Sequence, residues 1–403
     1  MKLPVFEVED KIRSAIRQEK GRLLLKAPTG SGKSTSVPVM VKGEVPGRVL
    51  VVQPRRMAAR LLAHFVAGQV GTRPGQGVGY AVRFESRLSN ETGIVFVTDG
   101  VLQRMLLDDP TLKGVGAVIF DEFHERRLSS DLSLARVLDL QDGGRPDLRV
   151  VVMSATLATA GLQPYLEPCT LVEAGGTLFP VEIEHRGVST IVRRGGQRRE
   201  ELWDRVTAVV KGGVRELGAG DRVLVFLPGV YEINRTQRCL EQSGTLRDWE
   251  IRSLYSALKP EAQEAAIRPD ESRRIILATN VAETSVTIEG VKLVVDSGLV
   301  RQSSYDVSRG FDSLRVCKIS QASARQRAGR AGRTGPGKCV RLWSEREHQA
   351  RDEFETPEVH RVDLADALLF LKRLGVEQAG EFRWLEHPEP DRQHEAIDRL
   401  MLL

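Results

Sequence analysis

Between Arg22 and Thr35 the chain passes without a break from an apolar run, Arg22-Leu-Leu-Leu-Lys-Ala27, into Pro28-Thr-Gly-Ser-Gly-Lys-Ser-Thr35, and a helical run follows from Ser36. Strand, glycine loop, Gly-Lys-Ser and helix, in that order, fit few folds. A strand apolar on both faces needs helices over a mostly parallel sheet. In that setting the loop is a phosphate cradle, because the amides of Thr29, Gly30, Ser31, Gly32, Lys33, Ser34 and Thr35 gather at a helix N-terminus that favours an anion. Lys33 would reach the β and γ oxygens of a nucleotide and the Ser34 hydroxyl would ligate Mg²⁺. The general pattern opens with glycine, and Ala27 stands there instead. A coincidental glycine-rich turn is the competing reading, and the flanking strand and helix count against it.

A second apolar run, Gly116-Ala-Val-Ile-Phe120, delivers Asp121 and Glu122 to the carboxyl end of another strand. Ligands of open α/β sheets collect at that end. Asp121, with Glu122 beside it, can hold Mg²⁺ through hard oxygens and water, and Glu122 can also orient or deprotonate an attacking water. His124 follows, placed to sense the nucleotide or a neighbouring domain. Read alone, these polar residues are a solvated loop; after a phosphate loop they form a hydrolytic centre.

Further strand ends repeat the design. Arg48-Val-Leu-Val-Val-Gln-Pro-Arg-Arg56 closes on Arg55 and Arg56, which can grip a nucleic-acid phosphate or simply border a solvated loop. Gly93-Ile-Val-Phe-Val-Thr98 ends on Thr98, either a phosphate contact or, with Asp99, the cap of a helix. Leu148-Arg-Val-Val-Val-Met-Ser154 brings Ser154 and Thr156 to the same edge. The alternation predicts a doubly wound sheet of about five strands.

After Gly175-Gly176, strands are expected at Asp221–Gly229, Glu250–Tyr255 and Arg273–Asn280, with no second phosphate loop. Gln326, Arg330 and Arg333 recur at three- and four-residue steps, so on a continuous helix they share a face. Two guanidiniums and an amide together suit a γ-phosphate and its water. A solvated basic helix is the alternative, and Gly329 and Gly332 speak against it by implying a close backbone approach.

At 403 residues the chain can hold two or three cores. A net charge of +5 permits an anionic partner without requiring one, and an aromatic content of 5% favours phosphate contacts over rows of stacked bases. Cys169, Cys239, Cys317 and Cys339 are too scattered for a zinc site and read as free thiols of a reducing compartment. With no signal-like start and no apolar run of roughly 18 residues, a cytoplasmic protein without membrane contact is expected.

The ordered set Ala27–Thr35, Gln53–Ala59, Thr98–Gly100, Asp121–His124, Ser154–Thr156, Thr279–Ser285 and Gln326–Arg333 resembles a superfamily 2 helicase of the DEAH-box group, with flanks similar to the bacterial HrpB type. The resemblance implies an α/β fold of two RecA-like doubly wound parallel-sheet lobes, residues 1–175 and 176–350, and a partial winged-helix segment at 351–403. It implies ATP and Mg²⁺ in a cleft between lobes, Arg330 and Arg333 as arginine fingers, Gln326 helping to place the water, and Ser154, Thr156 and His124 coupling hydrolysis to motion. Single-stranded or tailed nucleic acid, RNA rather than DNA, would be held by Arg55, Arg56, Thr98 and Thr279. The segment Leu299–Lys318 would split strands, and translocation would run 3′ to 5′ in a monomer. Phe65 and Ile267 occupy the places where relatives sandwich the base. The alternative is an RNA-binding accessory protein whose nucleotide cycle only gates affinity, and a metabolic P-loop enzyme is disfavoured by the run Gln326–Arg333.

Overall fold

The continuous apolar runs form the middle of two sheets, each in its own part of the chain. The computed structural model describes residues 3–155, 161–176, 179–187, 190–193, 196–284, 288–306 and 310–402. One unit comprises Met1–Gly176, Ser304–Ser313 and Thr356–Leu403; the other comprises Thr177–Ser303 and Leu314–Glu355.

In the first unit the strands are β1 (Arg22–Lys26), β2 (Arg48–Gln53), β3 (Val78–Val82), β4 (Glu85–Arg87), β5 (Ile94–Thr98), β6 (Val115–Phe120), β7 (Arg149–Ser154) and β8 (Thr170–Glu173). Their order is β4-β3-β5-β2-β6-β7-β1-β8, and all neighbours run parallel except β3 and β4. Successive residues feed opposite faces: Leu24, Val118 and Val150 join one buried cluster, while Leu23, Leu25, Ile119 and Val151 join the other. Both faces are therefore covered, as the unbroken apolar runs require. β3, β4 and β8 lengthen the sheet beyond the expected strands. They lie toward its edges, where Glu85-Ser-Arg87 and Thr170–Glu173 are partly exposed and carry no apolar run to read. Gly79 of β3 is needed there, since a Cβ would stand 2.2 Å from the Arg87 carbonyl oxygen.

The C-terminal stretch packs into this same unit. Asp363, one residue before the cap position Leu364, accepts from the Ala365 amide at 3.0 Å through Oδ1 where the helix Ala365–Arg373 begins. Lys372 and Arg373 close that helix, and Gly375 turns away at φ +83°. Val359, Leu364, Leu368, Phe382 and Trp384 enter the cluster that holds Phe120, Phe123 and Leu128.

In the second unit the strands are β9 (Val181–His185), β10 (Thr190–Arg193), β11 (Gly196–Arg199), β12 (Arg222–Phe226), β13 (Glu250–Leu254), β14 (Arg274–Ala278), β15 (Val291–Asp296), β16 (Leu299–Asp306), β17 (Phe311–Lys318) and β18 (Gly337–Arg341). Six of them form a parallel sheet in the order β13-β14-β12-β15-β18-β9. β10 and β11 pair as a separate hairpin. β16 and β17 pair over the stretch expected to be a strand-splitting hairpin, and their far ends, Ser304–Ser313, belong to the first unit, where the Tyr305 amide donates to the Arg361 carbonyl at 2.7 Å. No helix among the described residues is long and apolar enough to cross a membrane.

Candidate active site

β1 ends where the glycine loop Pro28–Thr35 begins. The Ala27 amide donates to the Ser154 carbonyl at 3.0 Å, so the loop starts from a point fixed to β7. Gly30 and Gly32 stand at φ +87° and +88°, a region open to glycine at no steric cost, and Gly32 leads into the helix Lys33–Lys42. Lys33 opens that helix almost wholly buried, with Nζ 3.2 Å from Glu122 Oε1. The Thr35 hydroxyl turns back to the Gly32 carbonyl at 3.1 Å and closes the loop on itself.

β6 lies between β2 and β7, and this brings the acids to the loop. Asp121 Oδ2 accepts from Gln53 Nε2 at 2.6 Å, Oδ1 accepts from the Glu122 amide at 2.9 Å, and the Ser34 hydroxyl also bonds this carboxylate. Glu122 takes a left-handed backbone at φ +51°. His124 Nδ1 stands 3.5 Å from Glu122 Oε2 and accepts from the Ala155 amide at 3.4 Å, so it touches both the acid and the end of β7. Thr156 lies outside the described residues.

Burial raises the pKa of Asp121, and the neighbouring Glu122 carboxylate raises it further. For Glu122 burial acts in the same sense, but the Lys33 ammonium and His124 outweigh it and hold the carboxyl below its ordinary value. The two carboxylates thus lie side by side with the Lys33 ammonium as the nearby cation, which acts to lower the pKa of both.

The expected phosphate contacts are arranged differently from one another. Arg55 is half-buried and paired with Glu125 at 3.0 Å; burial opposes the charge on Glu125, but Arg55 and Arg127 bring its pKa down to about 2. Arg56 is exposed at the first position of the helix Arg56–Gln69. Thr98 occupies the cap position of the helix Asp99–Asp108, but its side chain makes no capping hydrogen bond, and Asp99 accepts from Ser130 Oγ at 2.5 Å instead. Burial, partly offset by that bond, raises the pKa of Asp99 to about 6. Thr279 follows β14, its amide bonded to the Leu254 carbonyl at 3.1 Å. Phe65 is largely exposed on its helix, and Ile267 ends the helix Pro260–Ile267.

In the second unit the shared helical face of Gln326, Arg330 and Arg333 is not what forms. The helix Gln321–Ala328 stops after Ala328, and the amides of Arg330, Ala331 and Gly332 make three-residue turns to Arg327, Ala328 and Gly329. Beyond that end the backbone is closely approached: a Cβ on Gly332 would stand 2.6 Å from the Phe179 carbonyl oxygen and 2.8 Å from Val181. Of the close approaches expected at Gly329 and Gly332, the one at Gly332 is present, past the end of the helix. Gln326 stays on the helix, half-buried, and Arg330 Nε donates to the Glu283 carbonyl at 2.9 Å.

Two residues in this architecture escape a sequence reading. Gln53 grips Asp121, and its only signal is an amide at the end of the strand adjacent to β6. Arg327, wholly buried, joins Glu283 at 2.8 Å, Asp296 at 2.9 Å and the face of Phe226, tying the segments after β14 and β15 to the arginine run. Arg327→Ala leaves the buried Asp296 and the partly buried Glu283 without their cation, and the stability of the second unit is expected to fall by about 3–5 kcal/mol. Hydrogen exchange of β12 and β15 amides measures it; a loss below about 1 kcal/mol would mean that the triad is dispensable to the fold.

Comparison with known proteins follows this division. Residues 7–163 match the DEAD/DEAH box helicase family model and residues 204–335 match the helicase conserved C-terminal domain. The ATP-dependent RNA helicase HrpB of Escherichia coli (strain K12) is 39% identical over 371 residues, covering 91% of this chain and 44% of that protein. The pre-mRNA-splicing factor ATP-dependent RNA helicase prp22 of Schizosaccharomyces pombe is 38% identical over 415 residues, covering 100% of this chain and 34% of that protein. A crystal structure of the E. coli DEAH/RHA helicase HrpB superposes with a TM-score of 0.91 at 37% identity, over 99% of this chain and 50% of that one. The chain therefore spans half or less of the length of these relatives, and over that length both units share their RecA-like architecture.

Proposed function

The chain belongs to the DEAD/DEAH box helicases, and from that membership we propose that it is an ATP-driven RNA translocase that moves 3′ to 5′ and hydrolyses ATP to ADP and phosphate. The observation that carries the reading is the array of buried Lys33, Asp121, Glu122 and Gln53 with half-buried Ser34 at one end of the first sheet. Thr29–Thr35 would surround the phosphates with backbone amides, and Lys33 would leave Glu122 for the β and γ oxygens. Ser31 Oγ and Gln53 Oε1 are buried with no hydrogen-bond partner among the described residues, as suits a site built for a polar guest. Ser34 and Asp121 are hard oxygen donors already within bonding reach, so the site fits Mg²⁺, which when bound would neutralise phosphate charge. Glu122, kept ionised, would orient the attacking water and take its proton. Gln326, Arg330 and Arg333 are assigned to the γ-phosphate and its water, Arg55, Arg56, Thr98 and Thr279 to nucleic-acid phosphates, and His124, Ser154 and Thr156 to coupling. Residues 351–403 are taken as a partial winged-helix domain, and the cytoplasm as the place of action.

ATPase rates without polymer, with single-stranded RNA and with single-stranded DNA test this directly. Stimulation by RNA well above that by DNA is the expected result. Polymer binding with no change in turnover would replace the translocase by an accessory protein whose nucleotide state gates affinity.

A further inference from the structure

The chain just beyond the catalytic acids is held in an awkward shape. Glu122 and Arg126 both have left-handed backbones, at φ +51° and +46°, and they bracket a single tight turn in which the Glu125 amide donates to Glu122 and the Arg126 amide to Phe123, each at 3.0 Å. Non-glycine residues persist there only when surrounding structure holds them. The helix Leu128–Gly143 that follows has no capping bond from its own cap residue, Arg127.

The holding groups come from the C-terminal stretch. The Glu358 amide donates to the Arg126 carbonyl at 3.0 Å, and the Glu358 carboxylate accepts from the Leu128 amide at 3.1 Å. One residue thus grips the chain on both sides of Arg127 and caps, from more than two hundred positions away, the helix that Arg127 leaves uncapped. Arg361 steadies the other Glu358 oxygen at 3.3 Å. Around this bracket Arg126 pairs with Glu386 at 2.5 Å and with Asp131 at 3.0 Å, and His360 meets Glu386 at 3.1 Å. Beneath it Phe123 shares a buried cluster with Val359, Leu364 and Phe382.

Resting on the ATPase reading above, we infer that Glu358 is a positioning residue for the hydrolytic centre, setting the backbone that aims Glu122. The ion pair of Lys33 with Glu122 fixes the carboxylate only until Lys33 is drawn to phosphate. From then on the direction of Glu122 depends on its backbone angle and on His124. A misplacement of about 1 Å at a reacting group can lower a rate by about 10²-fold, so a bracket on this turn acts on the chemical step more than on nucleotide affinity.

The test uses the whole 403-residue chain with Glu358→Ala, Glu358→Gln and Glu386→Gln. Glu358→Ala removes the acceptor for the Leu128 amide and keeps the backbone bond; Glu358→Gln keeps an acceptor. With Glu358→Ala, kcat for ATP is expected to fall about tenfold with KM within about twofold, and the amides of residues 122–128 to exchange about tenfold faster. Glu358→Gln should recover most of both, and Glu386→Gln should show a smaller change of the same kind. A Glu358→Ala protein with a lowered Tm but wild-type kcat well below that temperature overturns the inference and leaves a packing staple. Equal rates for Glu358→Ala and Glu358→Gln overturn it as well. If the unaltered chain hydrolyses no ATP, the ATPase reading fails, and the exchange measurement still decides whether Glu358 holds the turn.

Discussion

Arg333→Ala is expected to slow ATP turnover by about 10³- to 10⁵-fold, the range measured for arginines that neutralise charge on a transferring phosphoryl group. Arg333 follows Gly332, whose backbone passes too near the Phe179 carbonyl to carry a side chain, and this pins the position from which the guanidinium extends. Under the role proposed for it, its charge would act on oxygens that become more negative only in the transition state, so affinity for ground-state ATP should change little. The phosphate loop and Lys33 lie in the other unit and are untouched by the substitution. Arg333→Lys should recover only part of the rate, because an ammonium cannot reproduce the planar fork of donors. Turnover measured in saturating RNA is the readout. A wild-type rate for Arg333→Ala would remove Arg333 from the mechanism and leave it an ordinary basic residue of a turn.

Glu122→Gln is expected to lower hydrolysis by about 10²- to 10⁴-fold, the usual contribution of a positioned general base. The amide keeps the shape of the carboxylate and loses its charge. Lys33, at 3.2 Å the partner of that charge, is then released toward phosphate, and ATP affinity should stay equal or become tighter. Lys33→Ala should do the reverse and weaken binding itself. Single-turnover hydrolysis beside equilibrium binding of a fluorescent ATP analogue separates the two effects. Hydrolysis by Glu122→Gln at the wild-type rate would show that another group handles the water.

The candidate nucleotide site is legible because its parts are local. Ala27–Thr35 carries strand, turn glycines, lysine and hydroxyl within one stretch, and Gly116–Glu122 carries strand and acids within another. Each reads as a unit because glycine at φ near +90° and an unbroken apolar run have few other uses. Gln53 was not legible, since its bond to Asp121 spans 68 positions and exists only because β2 pairs with β6. Arg327 was hidden for the same reason, its partners Glu283 and Asp296 lying 44 and 31 positions away. It also sits inside a run of arginines that differ in role while looking alike in sequence. The shared face of Gln326, Arg330 and Arg333 failed on a different ground. Spacing describes a face only while a helix continues, and this helix ends at Ala328, before Arg330 and Arg333.

Neighbours along the chain alone set the order of the parts: which strands are buried on both faces, which polar side chains stand at their ends, and where the glycine loop falls. Those properties follow from neighbours along the chain, through backbone preference and hydrophobic period. Which strands lie side by side, how far the arginine helix runs, and that Glu358 reaches back to the turn after the catalytic acids were decided only by the tertiary structure. The reason is physical. A single buried polar group cannot show in its own sequence neighbourhood which distant group will satisfy it, and that partner is chosen when sheet order and core packing bring the two together.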